Sequence, residues 1–172
     1  HLCNTLDGRG VPDPKTLTLD EAERTLRRKT HDTIRRVTAD LDTRVHLNTA
    51  VSALMELVNE LYSFCERIGC GPPARREEKR EKSGTPDRMQ TIAVLKESIE
   101  ALVLMLAPFT PHMSEELWER LGHSDGVVAA RWPATDPDAA RPEEIVVPVQ
   151  VNGKVRARLT VSAGISEDDL RA

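Results

Sequence analysis

The side chains best suited to chemistry in this chain are cations set at regular intervals. Lys154, Arg156 and Arg158 alternate along K-V-R-A-R. On a regular strand such residues project from one side, about 6.5–7 Å apart per step, a spacing that suits a run of phosphates. No acidic residue stands between Glu144 and Glu167 to neutralise them. A second set, Arg24, Arg28 and Arg35 with neighbouring Arg36, lies in a segment of helical periodicity. Arg28–Asp32 and Asp32–Arg36 are spaced i to i+4, so ordinary surface ion pairs are the competing reading there. Contacts of this kind position a polyanion without reading its sequence. A third basic cluster, Arg75, Arg76, Lys79, Arg80 and Lys82, is interleaved with Glu77, Glu78 and Glu81, the pattern of a solvated loop.

Bond-making chemistry has no comparable support. The chain holds no Gly-rich phosphate loop, no Gly-x-Ser-x-Gly elbow and no His-Glu-x-x-His. Glu115 and Glu116, near His112 at the start of a helical segment, fit complementation of the helix dipole better than acid–base work. His31, His46, His112 and His123 are scattered. The cysteines Cys3, Cys65 and Cys70 are odd in number and lack a second pair at ligand spacing, against a disulfide framework and against zinc. The expected catalytic and metal sites are therefore none.

Composition narrows the classes further. The 172 residues include 24 Lys plus Arg against 28 Asp plus Glu, a formal charge of −4 that excludes a histone-like polybasic binder. Two Trp, one Tyr and two Phe are too few for a sheet that stacks successive bases. At 39% hydrophobic, the chain can build a core for one domain and a small part of a second. The longest apolar run, Ala101–Ala107, falls far short of the ~18 residues of a membrane span. No signal sequence opens the chain, so a soluble, cytoplasmic protein is expected. His1 stands where an initiator methionine would, which suggests a piece of something longer.

Four amphipathic helices are expected to carry these residues. Residues 1–17, with Gly8, Gly10, Pro12 and Pro14, form an irregular lead-in. Thr18 with Glu21 reads as a capping box opening a helix whose stripe is Leu19, Ala22, Leu26, Thr30, Ile34, Val37 and Leu41, with Arg24, Arg28, Asp32 and Arg35 opposite. Asn48 reads as the cap of a second helix, to Ile68, stopped by Gly69. Its apolar positions, including Val51, Met55, Tyr62 and Cys65, cover more than half its circumference and make it the expected central helix, with Met55 and Cys65 in the core. Residues 69–88 read as an exposed, mobile connector. Ile92, Leu95, Ile99, Leu102, Val103 and Leu106 mark a third helix ended by Pro108, and Thr110-Pro111 begins a short fourth through Leu121. A proline-rich link follows, in which Trp132 is expected to plug a bundle edge. From Ile145, I-V-V-P-V-Q-V-N-G-K-V-R-A-R-L-T-V is a β-hairpin. A three-residue loop with a bulged Gly153, pairing Val149 with Val155, separates its apolar and polar faces, whereas a two-residue Asn152-Gly153 turn mixes them.

Several of these segments resemble a known family. L-A-P-F-T-P-H-M-S-E-E-L-W-E-R-L-G, residues 106–122, resembles a segment late in the anticodon-binding domain of class Ia aminoacyl-tRNA synthetases. V-Q-V-N-G-K-V-R-A-R, residues 149–158, is similar to the opening of the C-terminal domain of bacterial leucyl-tRNA synthetases, and residues 27–40 and 47–61 resemble the first two bundle helices of those enzymes. Order and spacing agree over roughly residues 18–170. Ala157 departs from the glycine often seen after V-N-G-K-V-R. The H-I-G-H and K-M-S-K-S signatures of the catalytic fold are absent.

The resemblance implies a mainly α fold: an anticodon-binding helical bundle over residues 18–142, followed by the truncated start of an α/β C-terminal tRNA-binding domain over 143–172. It implies a non-catalytic fragment of a ligase that uses ATP and Mg to charge tRNA(Leu), without cofactor of its own. Its partners would be tRNA(Leu) and the rest of the synthetase chain, with no DNA or membrane partner and a monomeric state. Arg24, Arg28, Arg35, Arg36, Lys154, Arg156 and Arg158 are then the candidate tRNA contacts. The alternatives are the bundle of a valyl, isoleucyl or methionyl enzyme, or a protein-interaction bundle without RNA affinity, which an exposed apolar patch would mark.

Overall fold

Asp20 and Glu23 decide where the first helix begins. The computed structural model describes residues 11–70, 89–141, 144–151 and 154–162. In it the Asp20 side chain accepts from the Glu23 amide (2.8 Å), and the Glu23 carboxylate accepts from the Asp20 amide (2.9 Å). This capping box satisfies two otherwise orphaned donors. Helix α1 therefore spans Glu21–Ala39, two residues later than the Thr18 cap expected from the sequence. Both T-x-x-E and D-x-x-E fit the pattern. The later box has an added anchor, because buried Glu23 also accepts from the Thr91 hydroxyl (2.7 Å).

Helix α1 ends in a wide π-helical turn, Asp40–Arg44, and Val45 then takes a left-handed conformation (φ 50°). Helix α2 spans Leu47–Arg67 with His46, not Asn48, at its N-cap. The His46 carbonyl accepts from the Thr49 hydroxyl (2.9 Å) instead. Gly69, at φ 74°, closes α2: its amide donates to the Glu66 carbonyl and the Cys70 amide to the Cys65 carbonyl. That pair of bonds is a Schellman motif, and glycine meets its left-handed position without a Cβ clash. Helix α3 (Met89–Leu106) and helix α4 (Pro111–Arg120) follow, the latter with Thr110 at its N-cap and Pro111 in its first turn. A short helix α5, Pro137–Ala140, ends the link.

The core gathers Leu26, Ile34 and Val37 of α1, Leu54, Leu57, Leu61 and Phe64 of α2, and Val94, Val103 and Met105 of α3. Helix α1 packs on α2, α3 and α5, and α3 packs on both α2 and α4. Ala93, Val94 and Leu95 are buried in succession, so α3 is enclosed around most of its circumference. The expectation that α2 is the central helix is corrected accordingly. Val51 and Tyr62 are exposed, and Met55 is 62% exposed instead of packed in the core. Val51, Leu54, Met55 and Val58 line an apolar groove of about 290 Å³ with Leu106 and Phe109. A broad apolar pattern shows which faces lack charge, and here it is wider than the surface that neighbouring helices cover.

Polar residues join the helices from within. Thr30 donates to Ser98 Oγ (2.8 Å), and Ser98 donates in turn to the Val94 carbonyl (2.8 Å), all without exposure. Trp118 stacks on His123 at 3.8 Å, and His123 bonds to Glu100 of α3 (2.8 Å), tying α4 to α3. Trp132 remains 38% exposed and donates to the Thr38 hydroxyl of α1 (2.8 Å), so it lies against the bundle instead of plugging it.

The described residues fall into two compact units, divided between Ala140 and Arg141. The second is an antiparallel hairpin of β1 (Glu144–Val151) and β2 (Lys154–Ser162). Val151 pairs with Lys154 and Gln150 with Val155; the register then shifts, so that Val149 pairs with Ala157. The three-residue loop pairing Val149 with Val155 is thus incorrect. Two residues separate the strands, as in the tighter turn, and a bulge at Arg156 restores the apolar pairings Val149–Ala157, Val147–Leu159 and Ile145–Val161. One extra residue inside the ladder does what the longer loop was expected to do. Asn152 and Gly153 lie outside the described residues, as do residues 1–10 of the lead-in and residues 71–88 of the charged connector.

Candidate nucleic-acid interface

Helix α1 presents cations in two directions. Arg27, one residue after core Leu26, is buried and bridges two carboxylates: Nε to Glu97 (3.0 Å) and Nη2 to Asp136 (2.7 Å). His31, one turn on, bonds through Nε2 to the same Glu97 (3.1 Å), while its Nδ1 accepts from the Asp136 amide (3.2 Å). An accepting Nδ1 leaves the Nε2–H to donate to Glu97. Burial works against charge on Glu97 and Asp136, but the His31 bond and then the charge of Arg27 win at Glu97, and the Arg27 bond leads at Asp136. Asp136, which also accepts from the Ala139 and Asp138 amides, is brought down to about 2. Arg27 is held charged against its own burial by the same two partners. These charges are internal mortar between α1, α3 and the link to α5.

The outward row contains the candidates expected from the sequence. Arg24 is exposed and donates to the Leu19 carbonyl (2.9 Å). Arg28 is half-buried and makes no ion pair among the described residues. Arg35 is exposed and pairs with Asp32 one turn back (2.6 Å). Arg36 reaches across to α2, where Glu56 accepts from both Arg36 (2.9 Å) and Lys29 (2.6 Å). Bonds from Lys29 and then Arg36 pull the Glu56 carboxyl down to about 2. The i to i+4 pairings of Asp32 with Arg28 and Arg36 are therefore replaced by an i to i+3 pair and an interhelical fork.

In the hairpin the bulge separates the expected trio by register. Lys154 stands opposite Val151 and Arg158 opposite Pro148, positions of opposite parity on β1. Strict alternation, the basis for placing all three on one face, does not continue through the extra residue. Arg156 is that residue, and its side chain is exposed. The side chains of Lys154 and Arg158 lie outside what is described.

Sequence reasoning missed the Arg27–His31–Glu97–Asp136 cluster. Glu23, Arg27 and His31 recur at i to i+4 beside the apolar stripe, a visible cue for a polar row at the edge of a core. Their partners are far along the chain and gave no local signal. Glu115 and Glu116 have structural roles: Glu115 accepts from the Val127 amide (2.9 Å), and Glu116 pairs with Arg120. Among the described residues, no three His, Cys, Asp or Glu side chains gather as a metal site, and no helix is long and apolar enough to cross a membrane.

The chain, with basic residues on its first helix and a hairpin later in the sequence, is matched by the model of the anticodon-binding domain of tRNA ligase over residues 23–170. The chain belongs to that family. It is 45% identical over 96% of its length to the leucine–tRNA ligase of Geotalea uraniireducens, and 44% identical over 89% to that of Geotalea daltonii. It spans only 18% and 16% of those relatives. Its fold is similar to part of an Agrobacterium radiobacter LeuRS solved in a ternary complex with tRNA and LeuAMS. That similarity has a TM-score of 0.73 at 29% identity and covers 99% of this chain and 19% of the LeuRS chain. For this anticodon-binding domain, the comparisons agree with the resemblance carried by residues 106–122 and 149–158.

Proposed function

We propose that the chain is the tRNA-docking module of a leucine–tRNA ligase, whose full protein activates leucine with ATP and Mg and transfers it to tRNA(Leu) in the cytoplasm. The observation that carries this reading is the family match across residues 23–170, with relatives that are leucine–tRNA ligases. The module supplies position, not bond-making: it holds the tRNA body so that a distant acceptor end meets the activated amino acid. Arg24, Arg28, Arg35 and Arg36 on α1, and Lys154, Arg156 and Arg158 on the hairpin, are its proposed phosphate contacts. Arg28 and Arg156 are the strongest of these, because neither makes an ion pair among the described residues. The expected anchor of specificity is backbone shape, since cations on phosphates carry no base information.

The test is a salt series of tRNA(Leu) binding to the 172-residue chain, run beside leucine-dependent ATP–pyrophosphate exchange. Binding that weakens linearly in log–log salt, with no exchange above a mock preparation, is expected. Absence of salt-dependent binding, or exchange by the purified chain, overturns the reading.

A further inference from the structure

Cys65 and Cys70 have no part in the tRNA-docking reading, yet the end of α2 brings them together. Cys65 lies in the last turn of the helix and Cys70 just beyond Gly69. The Cys70 amide donates to the Cys65 carbonyl at 2.9 Å, the longer-range bond of the Schellman motif, which places these two residues side by side. The Cys70 side chain is also a hydrogen-bond partner of the Cys65 thiol, and neither cysteine is in a disulfide. A direct backbone bond and touching side chains are the conditions under which Cα atoms fall within the about 4.4–6.8 Å that a disulfide spans. The odd cysteine count argues against a framework of permanent bridges but is silent on one reversible pair.

We infer that Cys65 and Cys70 form an oxidisable dithiol, a modification site that takes a low-molecular-weight disulfide as oxidant and closes into an intramolecular bridge across the C-cap of α2. The order of events follows from exposure. Cys70 is 8% exposed and Cys65 1%, so Cys70 meets the oxidant first. The Cys70 thiolate attacks one sulfur of the small disulfide, forming a mixed disulfide and expelling one small thiolate. Cys65 then loses its proton and attacks the Cys70 sulfur, expelling the second small thiolate and forming the Cys65–Cys70 bond. The two cysteine protons end on the two small thiols, and the two electrons lost by the pair reduce the oxidant. The hydrogen bond to Cys70, and then burial, push the Cys65 thiol up, so it keeps its proton until the second step.

The experiment equilibrates the folded 172-residue chain in glutathione buffers of increasing oxidised fraction at mildly alkaline pH. Remaining thiols are then trapped with a maleimide and located by peptide mapping. The expected linked Cys65–Cys70 peptide is lighter by about 2 Da than its reduced form. The oxidised chain takes no maleimide on Cys65 or Cys70 and regains all three alkylation sites on reduction. Cys65→Ser should stop at a glutathione adduct on Cys70, whereas Cys70→Ser should leave Cys65 unmodified, and helical circular dichroism checks that each variant is folded. Should one variant fail to fold, the wild-type map still decides. Three alkylatable thiols persisting at the most oxidising buffer overturn the inference. So does a bridge involving Cys3, or a wild-type Cys70 adduct that never resolves.

Discussion

Arg27 and Arg28 are neighbours in sequence and opposites in the structure. Arg27 is buried between Glu97 and Asp136, whereas Arg28 lies on the outer row of α1 with no ion pair among the described residues. A step of about 100° around the helix axis is enough to move a guanidinium from the inside of a bundle to its surface. The two environments use the same group differently. Inside, a cation is bearable only because two carboxylates satisfy it, and its value is to fix three segments against one another. Outside, a cation without an ion pair among the described residues is the one proposed to meet a phosphate. On that proposal one helix carries a structural clamp along one edge and a docking rail along the other.

The largest way to break this contrast is to remove the inner guanidinium. Arg27→Ala leaves Glu97 and Asp136 partly buried without their main cation, and unfolding free energy should fall by about 3–5 kcal/mol in denaturant titration. Arg28→Ala should stay within about 0.5 kcal/mol of wild type. Equal losses would show that the two sites do not differ as described. Leu57→Ala, in the fully buried core of α2, sets the scale for packing alone at about 2–5 kcal/mol. A loss below about 1 kcal/mol would mean that the core does not depend on this helix.

Acid sharpens the contrast, because the clamp titrates. Asp136 has its carboxyl brought down to about 2, from an ordinary 3.8, and Glu97 is lowered too. A depressed carboxyl stabilises the fold above its unfolded pKa and loses that contribution as pH falls through its folded value. Stability should therefore decline between about pH 4 and pH 2, where Asp136 takes up its proton. Asp136→Asn should be less stable than wild type at pH 7, and the gap should close toward pH 2. Unfolding curves at pH 7, 4 and 2 measure it, and a pH-independent gap would remove Asp136 from the clamp.

How much of this was legible in the sequence depended on distance along the chain. The α1 stripe, the Gly69 stop and the Thr110-Pro111 start rest on residues within a turn or two of one another, and each stands in the structure. The Arg27 clamp joins residues far apart in sequence, and periodicity cannot see such a partner. Exposure of Met55 was hidden for a related reason: a stripe shows what lacks charge, not how many neighbours arrive to cover it. In the hairpin, parity correctly required something to separate the faces. It could not tell a longer loop from a bulge two pairs into the ladder, because each offsets the two strands by one residue. For the candidate interface, the cations were legible as a row, but which of them is already engaged was not: Arg36 is tied to Glu56 from another helix.

The smallest expected effect tests that last distinction. In a full-length leucine–tRNA ligase carrying this domain, a cation that binds phosphate releases counterions. Its loss should lower the log–log salt slope of tRNA binding by roughly 0.7–0.9. Arg28 makes no described ion pair, so Arg28→Ala should show the full change. Arg36 must first leave Glu56, which also holds Lys29, and the cost of parting that fork offsets much of what a phosphate contact supplies. Arg36→Ala should therefore change the slope less than Arg28→Ala does. Arg36→Ala combined with Glu56→Gln should behave no worse than Arg36→Ala alone, because the freed Lys29 can take over the phosphate. Leucine activation measured without tRNA should be the same in all of these variants, since every substitution lies in the anticodon-binding domain. If Arg28→Ala and Arg36→Ala change the slope equally, existing ion pairs do not decide which arginines dock RNA. If neither changes it, the outer row of α1 is a solvated face, and the basic contacts lie elsewhere in the synthetase.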